Sequence, residues 1–205
     1  MKIPKHLGII PDGNRRWACL HSLPKKAGYQ YGIQPGIKTL QKAKELGIPE
    51  ITYYGFTADN CKRPKEQVTA FQKACMEVVE EVAKEGAELL VIGNTQSTCF
   101  PKELLPYTKR TTLANGGIRL NLLINYSWKW DLSHCKQTGT PFSQEIPRMD
   151  LIMRWGNRTR LSGFLPVQSV YADFYSIKNL WPDYTEADFM DAIDWFQKQE
   201  DTLGG

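Results

Sequence analysis

Five consecutive residues, Asp12-Gly13-Asn14-Arg15-Arg16, carry most of the chemistry this chain can do. They follow the short apolar run at residues 3–10, of the kind that forms a buried strand, and they lead into a helix expected at 15–20. A strand that breaks at Pro11 and restarts as a helix leaves backbone N–H groups pointing outward. These bind anions, and Arg15 and Arg16 add the charge a diphosphate requires. Asp12 among so many anion binders makes sense if a divalent cation sits between carboxylate and phosphate. A second group, Arg154-Trp-Gly-Asn-Arg158-Thr-Arg160-Leu-Ser162, places three arginines and a serine in nine residues after another apolar run. Such a cluster suits a second diphosphate clamp. Thr57, Asn60 and Arg63 lie between a strand and a helix-starting proline, where they either meet phosphate or cap the helix. Asp173, among the aromatics of Tyr171-Ala-Asp-Phe-Tyr175, reads either as a hydrogen-bonded carboxylate or as a second metal ligand.

These groups need a scaffold. Strands are expected at residues 3–10, 50–57, 88–93, 117–125 and 150–154. Helices are expected at 15–20, 34–46, 64–85, 101–113 and 185–202. The second opens near Pro35 and stops at Gly47; the last starts at the capping pattern Thr185-Glu-Ala-Asp188. Strands alternating with helices predict an α/β fold, a single domain over residues 1–205 with a mainly parallel sheet. In such sheets ligands bind beyond the carboxyl ends of the strands. The charged and amide residues fall there: Asp12 and Asn14, Thr57 and Asn60, Asn125, and Arg154.

Composition narrows the function. The 205 residues are 41% hydrophobic with a net charge of +4, enough for a packed core and too little positive charge for a nucleic-acid surface. Five cysteines without a Cys-x-x-Cys pair argue against a zinc site or a disulfide framework and for reduced thiols in the cytoplasm. Neither a signal-like leader nor a membrane-length apolar run is read at the start or along the chain.

The blocks Ile10-Pro-Asp-Gly-Asn-Arg-Arg-Trp-Ala18, Tyr54-Gly-Phe-Thr-Ala-Asp-Asn-Cys-Lys-Arg-Pro64, Leu120-Asn-Leu-Leu-Ile-Asn-Tyr126, Arg154-x5-Arg160-Leu-Ser162, Tyr171-Ala-Asp-Phe-Tyr175, Leu180-Trp-Pro-Asp183 and Leu203-Gly-Gly205 occur in the order of the cis-prenyltransferases, which the sequence resembles from Ile9 onward. The resemblance implies a homodimeric α/β enzyme that joins isopentenyl diphosphate to an allylic diphosphate with Mg²⁺, in the cytoplasm or peripherally at a membrane through its lipid product. It implies that Asp12 binds metal and that Gly13, Asn14, Arg15, Arg16, Trp17, Lys25 and Tyr29 form the allylic diphosphate segment. Asn60 and Arg63 would serve the condensation step, with Thr57 beside them. Arg154, Arg158, Arg160 and Ser162 would form the isopentenyl diphosphate site, and Asp173 would stand in place of a metal-binding glutamate. The sequence departs from the family at Arg15 (usually Gly), Tyr29 (usually His), Cys61 (usually Trp), Asn157-Arg158 (usually Gly-Glu), Glu200-Asp201-Thr202 (usually Arg-rich) and the short segment 131–146. Those departures leave two alternatives to head-to-tail elongation: irregular joining of two allylic diphosphates, such as dimethylallyl diphosphate, or a non-catalytic subunit of a heteromeric enzyme.

Overall fold

A computed structural model describes residues 2–200. Its centre is one seven-stranded sheet in the order β4-β3-β5-β2-β1-β6-β7. The strands are β1 (His6–Ile10), β2 (Glu50–Thr57), β3 (Ala87–Ile92), β4 (Thr111–Leu113), β5 (Arg119–Tyr126), β6 (Leu151–Arg154) and β7 (Asp173–Ser176). All neighbours are parallel except β4, which pairs antiparallel with β3. The expected mainly parallel α/β architecture is therefore present.

The side-chain alternation of each strand feeds two cores. Leu7, Ile9, Leu122 and Met153 point to one face, where α3 (Ile33–Glu45), α4 (Lys65–Glu85) and α7 (Glu186–Gln197) cover them. Ile10, Leu123 and Ile152 point to the other, packed with Tyr126, Met149 and Phe164. Strands buried on both faces are near-continuous apolar runs, and for that reason the sequence marked five of them clearly. Four shorter helices complete the fold: α1 (Asn14–Leu20), α2 (Gly28–Tyr31), α5 (Trp128–Ser133) and α6 (Cys135–Thr138).

Several boundaries differ from expectation. Residues 101–113 are not an α-helix: a 3₁₀ stretch, Lys102–Thr108, contains Pro106, and Thr111–Leu113 then pairs as β4 on the edge of β3. Proline inside the segment removes an N–H that an α-helix needs, and β-branched Thr111 and Thr112 suit an edge strand. β7 is short and half-buried, so its alternation carries little signal. The tail helix ends at Gln197; its Thr185–Asp188 capping box is formed as expected. The last motif, Leu203-Gly-Gly205, and residues 201–202 lie outside the described residues.

At the amino ends of the strands sits a buried polar cluster. His6 Nε2 lies 2.7 Å from Thr52 Oγ1, and Asn121 Nδ2 donates to Thr52 Oγ1 at 2.9 Å and to Glu50 Oε1 at 2.8 Å. Burial pushes the His6 imidazole below its ordinary value of 6.5, although Glu50 and Asp150 pull it upward. The unfolded chain thus takes a proton that the folded chain refuses. This contribution to stability is fully present above about pH 6.5 and is lost as pH falls through the unfolded value. The urea midpoint is expected to drop between about pH 7.5 and about 5.5, and His6→Gln to flatten that drop. An identical slope in the variant would assign the effect to other groups.

Candidate active site

The carboxyl ends of β1, β2, β5 and β6 open onto one cavity of about 1250 Å³. Fourteen of the residues singled out from the sequence line it: Asp12, Gly13, Asn14, Arg15, Arg16, Lys25, Tyr29, Thr57, Asn60, Arg63, Arg154, Arg158, Arg160 and Ser162. Among all lining residues nine are basic and two, Asp12 and Asp59, are acidic. That imbalance leaves a cavity suited to polyanions.

The floor is set by Arg154, the last residue of β6, which is only 4% exposed. Its Nη2 donates to Asp12 Oδ2 at 2.8 Å, and its Nη1 donates to Ser162 Oγ at 3.0 Å and to the Arg160 carbonyl. The guanidinium therefore joins the loop after β1 to the loop after β6. Arg154 was expected in a diphosphate clamp with Arg160 and Ser162; three of its hydrogen bonds go to the protein, and Arg158 and Arg160 are the exposed arginines of this loop. Arg154 Nε and Asn14 Oδ1 are buried without a protein partner, so donor and acceptor capacity remains at the floor.

Asp12 is about one-third exposed, and its second oxygen, Oδ1, lies 3.4 Å from Arg16 Nη2, longer than a charge-assisted hydrogen bond. That oxygen is available to a cation. No group of three His, Cys, Asp or Glu that could hold a metal occurs among the described residues. One carboxylate completed by substrate phosphate oxygens and water is nonetheless how magnesium is commonly held. The donor set fits magnesium carried in with a diphosphate and does not fit a metal bound by protein alone.

Gly13 caps α1 at φ 120°, and a Cβ there would lie 2.9 Å from the Leu180 side chain. The first-turn N–H groups of α1 lack partners within the helix, as in any helix. Around the rim, Arg63 Nη1 donates to Tyr29 Oη at 2.9 Å. Burial holds the Arg63 guanidinium below its ordinary value, and the charge of Arg15 adds to this against the pull of Tyr29 and Asp12. An anion would relieve both strains. Thr57 and Asn60 cap each other at 3.3 Å, but the element they cap is the 3₁₀ turn Ala58–Lys62 and not the long helix α4, which starts after Pro64 without a side-chain cap; both face the cavity. Cys61 Sγ donates to Asn125 Oδ1 at 3.0 Å, which turns Asn125 to tying loops together. Burial, then Cys99, pushes the Cys61 thiol up to about 12.

Two expected site residues lie elsewhere. Trp17 is on the buried side of α1, its Nε1 donating to Asp183 Oδ1 at 2.6 Å, because the cavity face of that short helix is Arg15, Arg16 and Cys19. Asp173 opens β7 opposite Leu151, whereas Arg154 lies opposite Ser176. In parallel strands that puts Asp173 at the amino edge, about 10 Å along the sheet from the level of Arg154. A metal shared by Asp12 and Asp173 is not assembled within this chain. Conversely, Tyr54, Lys62, Tyr126, Trp128 and Lys129 line the cavity without having been singled out. Tyr54 Oη donates to the Ser162 carbonyl at 2.9 Å, and burial pushes its phenol up to about 12, keeping it a donor. The position of residues 126–129 just past β5 was the signal that could have found them.

Comparison with known proteins agrees with this geometry. A family model described as putative undecaprenyl diphosphate synthase matches residues 10–204. An isoprenyl transferase of Thermotoga maritima is 34% identical over 100% of this chain and 98% of its own. A ditrans,polycis-undecaprenyl-diphosphate synthase ((2E,6E)-farnesyl-diphosphate specific) of Aliivibrio fischeri is 31% identical over 98% of this chain and 89% of its own. In fold, the chain superposes on lavandulyl diphosphate synthase from Lavandula x intermedia with a TM-score of 0.83 at 22% identity, covering 99% of both chains. A probable undecaprenyl diphosphate synthase from Campylobacter jejuni gives 0.76 at 23% identity, covering 100% of both.

Gly156 offers a direct test of the floor. It sits at φ 86°, and a Cβ there would come within 2.2 Å of Arg16 Nη2 and 3.1 Å of the Asp12 carbonyl. Gly156→Ala is expected to cost about 1–2 kcal/mol of stability and to weaken inorganic pyrophosphate binding about tenfold by titration calorimetry. Gly139→Ala, also at positive φ but with nothing within 4 Å of the new atom, should lose stability without losing binding.

Proposed function

Because this chain belongs to the cis-prenyltransferases, the undecaprenyl diphosphate synthase family, we propose that it condenses an allylic prenyl diphosphate with isopentenyl diphosphate, head to tail and in cis, releasing diphosphate and a longer polyprenyl diphosphate. That it is a prenyltransferase follows from the family; the substrates and linkage are the proposal. The single observation that carries it is a cavity with two separate anion-binding loops, after β1 and after β6, joined at their base by the Asp12–Arg154 pair.

Arg15 and Arg16 at the start of α1, with Lys25 in the turn beyond that helix, line the cavity for the leaving diphosphate. As the allylic carbon–oxygen bond breaks, its electron pair stays on that diphosphate, and these cations are aimed at the charge that develops. Asp12 would hold magnesium brought in with the diphosphate, and the ion would supply further positive charge to the same leaving group. The second loop offers Arg158, Arg160 and Ser162 to the isopentenyl diphosphate, which directs its double bond at the allylic carbon. The new carbon–carbon bond is completed when a proton leaves the neighbouring carbon for a diphosphate oxygen. Asn60 spends its Oδ1 on the Thr57 N–H, so its amide meets substrate as the Nδ2 donor. It orients the accepting oxygen and is not itself the base. The same reading carries a cytoplasmic homodimer acting beside a membrane; no helix among the described residues is long and apolar enough to cross one.

A second reading is favoured by one feature. Arg158 stands in the second loop where the family's pattern has an acid, and it lines the cavity exposed to substrate. The change alters the surroundings of the second subsite, the place where a second allylic diphosphate, joined irregularly, would stand instead of isopentenyl diphosphate; charge alone does not choose between them, since both carry the same diphosphate.

Purified protein with Mg²⁺, an allylic diphosphate and labelled isopentenyl diphosphate is expected to release diphosphate and form a labelled longer product. Asp12→Ala should lower the rate by about 10²-fold or more. Turnover of dimethylallyl diphosphate as sole substrate, with none of isopentenyl diphosphate, would select the irregular reading. An unchanged rate in the variant would remove Asp12 from the chemistry.

A further inference from the structure

Two cysteines that the condensation chemistry leaves unused stand side by side above the end of β5. The sheet order β3-β5-β2 brings the loop after β3 and the turn after β2 together over that strand end. Cys99 lies on the loop and Cys61 on the turn. The Cys61 thiol donates to Asn125 Oδ1 at 3.0 Å and has the Cys99 thiol as its other hydrogen-bonding neighbour. Both thiols are free and half-buried, packed against the same core.

The two sides are held with unequal firmness. β3 ends pressed against β5, where a Cβ on Gly93 would collide with the Ile124 carbonyl oxygen. Asn94 then exchanges two hydrogen bonds with Asn125, at 3.0 and 3.3 Å. The Cys99 carbonyl accepts from Gln72 Nε2 of α4 at 3.0 Å, and the Cys99 N–H donates to Ser97 Oγ at 3.2 Å. The turn Ala58–Lys62 is bonded mostly to itself, through the Thr57–Asn60 cap and the Lys62–Asp59 pair at 2.7 Å. A bond between the two sulfurs would therefore draw the turn toward the loop and break the hold of Cys61 on Asn125. The same turn carries Asn60 and leads into Arg63, and both face the cavity.

We propose that Cys61 and Cys99 form a modification site, oxidised by a low-molecular-weight disulfide to a reversible internal disulfide that displaces Asn60 and Arg63 and slows turnover. The pairing of the cysteines stands apart from the condensation reading; its effect on rate rests on that reading. The Cys99 thiolate attacks one sulfur of the reagent, breaking its S–S bond and releasing one thiol. Cys61 then gives up its proton and attacks the Cys99 sulfur of the mixed disulfide, which forms the internal bond and releases the second thiol. Two electrons and two protons pass from the cysteines to the reagent. Burial pushes the Cys61 thiol up to about 12, so the first attack falls to Cys99. In a reducing compartment such a pair rests as thiols and is oxidised transiently.

The test equilibrates the purified chain with oxidised glutathione, maps its peptides by mass spectrometry and assays condensation with Mg²⁺. A joined Cys61–Cys99 peptide is expected, with the rate lowered by about tenfold or more and restored by dithiothreitol. Cys61→Ser, which keeps a hydroxyl donor for Asn125, and Cys99→Ser should each lose this reversible drop. Cys135→Ser should respond as the wild type does. Thermal melts identify any variant that fails to fold, and the other then decides. A glutathione adduct at Cys19 or Cys135 without the internal bond overturns the inference. So does a joined peptide with an unchanged rate, or a drop that persists in the folded serine variants; each leaves the condensation reading standing. If the chain turns over no diphosphate, the peptide map decides alone. The joined peptide then supports the pair while the condensation reading fails, and its absence overturns the pair.

Discussion

One buried cation organises the carboxyl edge of this sheet. Arg154 is carried by a strand with no exposed residue, and a guanidinium so placed costs several kcal/mol unless charge and hydrogen bonds compensate it. Asp12 supplies the charge from the loop after β1, and Ser162 and the Arg160 carbonyl supply acceptors from the loop after β6. The parallel pairing of β1 with β6 makes this reach short, because Ile10 and Arg154 are register partners. The two loops are thus fixed relative to each other by one side chain. A reaction between two diphosphate esters needs that separation held constant, since a displacement of about 1 Å can cost a hundredfold in rate.

Around that pair the cavity keeps a surplus of positive charge that the protein itself leaves uncompensated. Arg15, Lys25, Arg158 and Arg160 have no carboxylate within ion-pair distance among the described residues, whereas Lys26, Lys42 and Lys84, away from the cavity, each do. Self-repulsion of this kind lowers stability. It persists where a ligand brings the missing negative charge. The arrangement also separates two solvents within a short distance: cations above, and below them, between α3, α4 and the sheet, a small cavity with a wall without charge.

Much of this was legible in the residues. The strand at 50–57 announced itself by β-branched and aromatic residues and that at 150–154 by the short apolar run Leu-Ile-Met, and the rule that ligands sit beyond strand ends gathered Asp12, Asn60 and Arg154 at one edge. What was not legible depended on direction and phase. Asp173 is three residues from Ser176, and only the register of β7 against β6 puts it at the far edge. Trp17 follows Arg16 directly, and only the rotation of α1 turns it to Asp183. Residues 101–113 were misread because helical spacing outweighed Pro106. Whether the apolar stripes on α3 and α4 wall a cavity or pack as plain core was left open by spacing, because a stripe reads the same against a wall or a gap.

The organising role of the ion pair is best tested by a double-mutant cycle on Asp12→Asn and Arg154→Gln. The condensation rate of both single variants and the double would be measured with saturating diphosphates. If the two groups act as one unit, the double variant should be scarcely slower than the worse single variant, a coupling of about 1.5–3 kcal/mol. Losses that simply add, with no coupling beyond about 0.5 kcal/mol, would contradict it.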